Sequence, residues 1–281
     1  MRLLALAALV FAVAACGSSE DKQAAGTPAG RGATCAKASL ALHTPGQLTV
    51  ATDKPAYPPY FDSNDPSNGK GFESAVAYAI AAKLGFARNE VKWVTEPFNS
   101  SYAPGPKNFD FDVNEISITP KRSQVVDFSA PYYTAPQAVV ARNGSKYAHA
   151  ASLAALADAK IGVQVGTTSL DAVNSVIKPH SQAQVFNDSN DVVSALKNGQ
   201  VDAVVVDLPT AFYLTAAQVK GSRIVGQFAA PGGDAWGALL VKGSKLTPCV
   251  SGAVQKLLGS GELQRITKRW MGAAAGAPEL K

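Results

Sequence analysis

Apolar and polar positions along this chain alternate between two periods, and the changes of period mark out its elements. Folded sequence begins near Gln47, where "QLTVATD" predicts a first strand ending at a polar turn. "SAVAYAIAAKLG" carries apolar residues at helical spacing and closes on Gly85, the pattern of a glycine-capped helix. "VKWVTE" predicts the next strand. Another is expected over residues 111–118 within "FDFDVNEISITPKRSQVVDFSAPYY", where Phe109, Phe111 and Val113 alternate with Asp110 and Asp112. "APQAVVAR", residues 135–142, is an extended run leading into a second block. There the strands "KIGVQV", "AQVF" and "VDAVVV" alternate with helices "TSLDAVNSVI", "NDVVSALKNG" and "LPTAFYLTAAQ", and "SRIVG" closes the set. A strand "AWGALLV" and the helices "TPCVSGAVQKLLGS" and "GELQRITKRW" follow Pro231.

Strands alternating with helices imply βαβ units and parallel sheets, so the predicted fold class is α/β. The parse expected from this order is a first lobe over residues 47–137 and 230–281, with a second lobe, 138–229, inserted into it. The chain would then cross between lobes twice, near residues 135–142 and 226–232.

Composition agrees with a bilobed globular protein: 281 residues, 47% hydrophobic and 17% charged, supply a core that needs no metal to hold it. The formal net charge of +5 comes from scattered lysines and arginines, which does not make a nucleic-acid footprint. The N-terminus changes the picture more. "MRLLALAALVFAVAACGSS" has one basic residue and 13 apolar residues over 3–15, too few for a membrane-spanning helix and suited to a secretory signal. "VAAC" resembles the lipobox of bacterial lipoproteins, which makes residues 1–15 a signal peptide and Cys16 the lipidated first residue of the mature chain. A plain signal peptide before an incidental cysteine is the alternative. Residues 16–46, small and polar at their start, are expected to be a flexible tether. In an exported chain the remaining cysteines, Cys35 and Cys249, suggest one disulfide, against the alternative of two separate buried thiols.

Candidate chemistry lies at strand ends, where open α/β sheets hold ligands. Ser117, Thr119 and Arg122 cluster in "SITPKR"; the arginine fork suits a carboxylate, or pairs locally with Asp127. Gly166, Thr167 and Thr168 turn a strand into a helix, which attracts an anion or merely caps the helix. Asp207 ends "VDAVVVD" and either caps the next helix or meets a ligand cation.

Taken in order, "YPPY", "GKGFESAVAYAIAAKLG", "SITPKRSQVVDFSAPYY", "KIGVQVGTTS", "VDAVVVD" and "GSGELQRITKRW" resemble the family 3 extracellular solute-binding proteins, over roughly residues 47–271. These are the polar amino-acid receptors of ABC importers. The resemblance implies a two-lobed type II periplasmic-binding fold that closes by hinge motion. It implies that Arg122 clamps a ligand α-carboxylate, assisted by Thr168 with Thr167 beside it, and that Ser117 touches the ligand backbone. Asp207 would hold the α-ammonium, and Tyr57, with Tyr60 nearby, would cover the side chain. Partners implied are an amino acid, ABC permease subunits and, through the lipid, the outer face of the cell membrane; a monomer without cofactor or metal is expected.

Three departures from the family pattern bear on specificity. Ala75 stands where an Asp is usual, "NSSYAPGPKNFDFD" replaces a short helix, and Glu115 occupies a position usually small or hydroxylated. Glu115 either adds a carboxylate near the ligand's ammonium or basic side chain, or is a strand residue paired with Arg122 or a lysine. Sensory or enzymatic use of the fold is the competing function. None of His43, His149 and His180 falls in a matched motif, while Glu115 or Asp207 could serve an enzyme as its base.

Overall fold

The computed structural model describes residues 34–272 and 276–281. The signal segment and Cys16 lie outside the described residues.

Two five-stranded sheets carry the fold. In the first, β1 (Leu48–Thr52) pairs in parallel with β2 (Val91–Thr95) and β3 (Phe111–Asp112), while β10 (Ala235–Val241) runs antiparallel between β3 and β4 (Val126–Thr134). Every residue of β1 is buried, as expected of a central strand covered on both faces. One face packs Leu48, Val50 and Phe111 against α1 (Phe72–Lys83), α7 (Thr247–Gly259) and α8 (Glu262–Met271); the other gathers Ala51, Phe109, Ile116 and Leu239.

The second sheet has the order β7 (Gln184–Phe186), β6 (Ile161–Gln164), β8 (Ala203–Asp207), β5 (Gln137–Arg142), β9 (Ser222–Phe228). Alternate residues of β5 feed separate cores: Val139 and Ala141 face Leu156 and Val173, while Ala138 and Val140 face α5 (Ser189–Asn198) and α6 (Leu208–Tyr213). The two-lobed α/β architecture expected from the sequence is therefore present.

Several boundaries differ from expectation. The strand expected over 111–118 stops after Asp112, and β5 is an inner strand of the second sheet, not a linker. The crossings between sheets are correspondingly short, one between Thr134 and Gln137 and one between Phe228 and Ala235. They run side by side, with the Ala135 N–H donating to the Asp234 carbonyl at 3.0 Å.

The expected tether over 16–46 also shortens. Leu40 and Leu42 pack on the first core, and Asp110 accepts the main-chain N–H of His43 as well as that of Thr49, each at 2.6 Å. Asp110 is thus a structural acid. At the other end, the first lobe gives up the last residues assigned to it. Met271 closes the first core, whereas Leu280 belongs to the second, with Glu279 bridged to Gln227 of β9. Gly226 makes room for this: a Cβ there would sit 2.6 Å from the Leu280 Cγ and 2.7 Å from the Pro278 carbonyl.

Cys35 and Cys249 are bonded and separated by 214 residues, tying the start of the folded chain to α7. Closing so long a loop stabilises by about 5 kcal/mol in the chain-entropy account. Reduction is expected to lower the urea midpoint of the purified domain clearly; an unchanged midpoint would mean that the N-terminal segment is held by packing alone.

Candidate ligand-binding site

A cavity of about 410 Å³ lies where the strand ends of the two sheets face each other. Of the nine predicted ligand-binding residues, Tyr57, Tyr60, Glu115, Ser117, Arg122, Thr167, Thr168 and Asp207 line it, and Thr119 does not. Thr119 is the N-cap of the single-turn α3 (Pro120–Ser123), its hydroxyl accepting the Arg122 N–H at 3.1 Å. It helps to position the arginine.

Arg122 is only 6% exposed. One guanidinium nitrogen donates to the Ser117 carbonyl at 2.8 Å and another to the Gly166 carbonyl at 3.0 Å, so the side chain reaches from the first lobe to the second. The rings of Tyr102 and Phe98 lie 4.6 Å and 5.5 Å from its central carbon. Asp127, the local alternative partner, is engaged elsewhere, with Lys242 at 3.2 Å and Thr247 at 3.1 Å. Among the described residues no carboxylate forms an ion pair with Arg122. Burial pulls its pKa below the usual guanidinium value. A desolvated cation held only by neutral acceptors is costly, and an anion entering the cavity relieves that cost.

Opposite it, Gly166 has φ +73°, and a Cβ there would collide with the Tyr102 hydroxyl, so only glycine lets the turn approach this wall. The Thr167 hydroxyl is committed, accepting the Leu170 N–H at 3.2 Å and donating to the Gln164 carbonyl at 2.8 Å. Thr168 opens α4 (Thr168–Ala172), and its hydroxyl lies 3.3 Å from that of Ser117 across the cleft. Ser117, Thr168 and Arg122 therefore lie together in the cavity wall.

Asp207 precedes α6 without capping it through its side chain. The Gln137 amide donates to Asp207 at 2.6 Å and to Asp234 at 2.9 Å, and the Ser169 hydroxyl donates to the Gln137 carbonyl at 2.6 Å. Enclosure by protein, then the neighbouring Asp234, raises Asp207 to a pKa of about 8. A nearby cation would favour its ionised form.

Aromatic residues also line the cavity. The Tyr60 hydroxyl lies 2.8 Å from that of Thr210 on α6, and the Tyr57 hydroxyl donates to the Asn190 side chain on α5. The Tyr57 and Tyr213 rings sit 5.9 Å apart. Each of these contacts joins the two lobes.

Glu115 has a partner other than those expected. Its backbone takes φ +49°, the left-handed region, and its N–H donates to Glu73 Oε1 at 2.8 Å. The carboxyl of Glu115 lies against that of Glu73, which also accepts the Tyr132 hydroxyl. It steadies neither Arg122 nor a lysine, and it faces the cavity.

The sequence profile of the bacterial extracellular solute-binding proteins, family 3, matches residues 48–273. The chain belongs to this family. Among relatives of this solute-binding protein, the arginine-binding extracellular protein ArtP of Bacillus subtilis is 27% identical, over 95% of this chain and 96% of its own. A solved ancestral arginine-binding protein bound to glutamine is 32% identical, covered over its whole length and over 82% of this chain, with a TM-score of 0.67. The ancestral amino-acid-binding protein AncCDT-1, a precursor of cyclohexadienyl dehydratase, is 27% identical over 80% of this chain and 95% of its own, at a TM-score of 0.62.

The site of this solute-binding protein also gathers residues that its sequence did not single out. Gln137 sits in the run read as a linker, and Asp234 in a glycine turn; only the fold brings them to Asp207. Asp53, at the end of β1, lines the cavity and accepts the Phe98 N–H at 3.2 Å. Its place after a buried strand is the same signal that marked Asp207.

Proposed function

We propose that this protein captures an amino acid with a basic side chain between its lobes and delivers it to an ABC permease. It would bind without altering its ligand, held to the outer face of the cell membrane by a lipid on Cys16 after removal of residues 1–15. The observation that carries this reading is the buried Arg122, without a carboxylate partner among the described residues, facing the carboxyl of Asp207 across one cavity. A zwitterion satisfies both: its carboxylate reaches Arg122, Ser117 and Thr168, and its ammonium reaches Asp207. Partners divided between lobes give the ligand a higher affinity for the closed state, which ligand-driven closure requires. The segments Thr134–Gln137 and Phe228–Ala235 would serve as the hinge.

The preference for a basic side chain rests on charge. The cavity is lined by the acids Asp53, Glu115, Asp188 and Asp207 against Lys54 and Arg122. Once Arg122 and Asp207 are assigned to the α-groups, the remainder is acidic. The arginine-binding relatives agree with this choice.

Calorimetry of the soluble domain against arginine, lysine, glutamine and glutamate tests the reading. Arginine or lysine is expected to bind about 100-fold more tightly than glutamate, whose side chain would meet like charge. Mass spectrometry should recover the bound ligand unchanged. Tightest binding of glutamate would overturn the preference, and a product of altered mass would make the protein an enzyme.

A further inference from the structure

The acidic wall of the cavity contains a group that direct ligand binding does not use. Glu73, on α1, is fully buried and lies behind Glu115. Its Oε1 collects two donors, the main-chain N–H of Glu115 and the hydroxyl of Tyr132. Both stabilise charge on Glu73. Glu115, whose carboxyl abuts it, is partly exposed on the cavity side. Two carboxylates in contact away from bulk water do not both ionise, so the pair retains a proton. The donors assign the charge to Glu73 and the proton to Glu115.

The surroundings of Glu115 reinforce this. Glu73 faces it from α1, Tyr132 from β4, Tyr60 from the turn before α1, Asp53 from the end of β1 and Asp207 from the end of β8. All of these are acids or phenols; the cations that line the cavity are Lys54 and Arg122. Arg122 is turned away, toward the Ser117 and Gly166 carbonyls. What would allow Glu115 to ionise is a cation inside the cavity.

We infer that Glu73 and Glu115 form a proton-exchanging specificity element: the pair holds one proton in the empty cavity and releases it when a cationic ligand side chain enters. The inference rests on the proposed class of ligand. The O–H bond of Glu115 breaks, its electron pair stays on the carboxylate now facing the ligand cation, and the proton passes to solvent. A neutral side chain leaves the proton in place and meets a hydroxyl donor instead. Glu73 is a positioning residue, fixing the left-handed backbone of residue 115 and the location of the proton. Affinity for a basic ligand then rises with pH relative to that for a neutral isostere.

Arginine and citrulline make the comparison, since they share α-groups and shape and differ in side-chain charge. Titrating each into the wild-type protein at pH 7, in buffers of different protonation enthalpy, gives the protons released on binding. Arginine is expected to release about one proton more than citrulline, any release from Asp207 being common to both. Glu115→Gln should lower the arginine count by about one proton, which serves as the comparator should citrulline bind too weakly to measure. Glu73→Gln should lower it as well, because an isolated Glu115 starts partly ionised; a purely structural Glu73 would leave the count unchanged. Equal counts for arginine in wild type and Glu115→Gln, with binding intact, overturn this inference alone. Failure of wild-type protein to bind any basic amino acid overturns the proposed ligand class and this inference with it.

Discussion

Arg122→Ala is expected to abolish amino-acid binding and leave the protein folded. The guanidinium holds two main-chain carbonyls, one on each lobe, and stands between the Tyr102 and Phe98 rings. Its loss removes the positive charge that lies beside Ser117 and Thr168. A ligand carboxylate would then leave water for two hydroxyls, which do not replace charge-assisted hydrogen bonds. Affinity should fall about 100-fold or more, the usual consequence of removing one side of a buried charge pair. Stability should change much less, since two lost hydrogen bonds are offset by removal of a buried cation that lacks an ion-pair partner. Arg122→Lys keeps the charge but loses the planar fork, and should retain a fraction of the affinity. Calorimetry with circular dichroism of each variant decides. Wild-type affinity in a folded Arg122→Ala protein would reduce the residue to a structural link between lobes.

The fold was legible wherever a strand is buried on both faces, because β1, β6 and β8 then read as short apolar runs ending in polar turns. It was illegible where local rules are broken by tertiary context. β4 contains Pro131, which argues against a strand, yet the proline sits opposite Gly237 at an irregularity in the pairing with β10. The strand expected over 111–118 is cut short by the left-handed backbone of Glu115, a conformation stabilised by Glu73, 42 residues away in sequence. Ser117 rejoins the sheet only through an isolated bridge to Trp236.

The site divides in the same way. Spacing alone left Arg122 balanced between a ligand and Asp127, and left Asp207 balanced between a cap and a ligand. The resemblance assigned each a role; in the fold the local alternatives are weakened, since Asp127 is taken by Lys242 and Asp207 makes no side-chain cap. Thr119, counted among ligand contacts, caps α3 and does not line the cavity. Gln137, Asp234 and Glu73 have no local signature, because their importance comes from partners 70, 97 and 42 residues distant.

Asp207→Asn is expected to stabilise the empty protein at alkaline pH and to remove its affinity for amino acids. The Asp207 carboxyl has a pKa of about 8 in the folded protein, raised from 3.8 by burial and by Asp234. Between those values the unfolded chain has lost this proton and the folded chain keeps it, so folding takes up a proton. The contribution of Asp207 to stability is therefore complete below about pH 4, declines as pH rises, and is lost above about pH 8. Asparagine cannot ionise and can still accept the Gln137 amide hydrogen bond. Relative to wild type, the variant should gain a few kcal/mol at pH 9, or several degrees in Tm, and almost nothing at pH 4. Arginine should raise the wild-type Tm at pH 9, because a ligand ammonium stabilises the ionised carboxylate and binds only the folded state. It should leave the Tm of Asp207→Asn nearly unchanged. A gain of equal size at both pH values would show that the substitution acts through packing, and a retained ligand-induced shift would move the ammonium site away from Asp207. The predicted result ties the two effects to one cause: the charge that makes the empty cleft unstable is the charge that the ligand enters to neutralise.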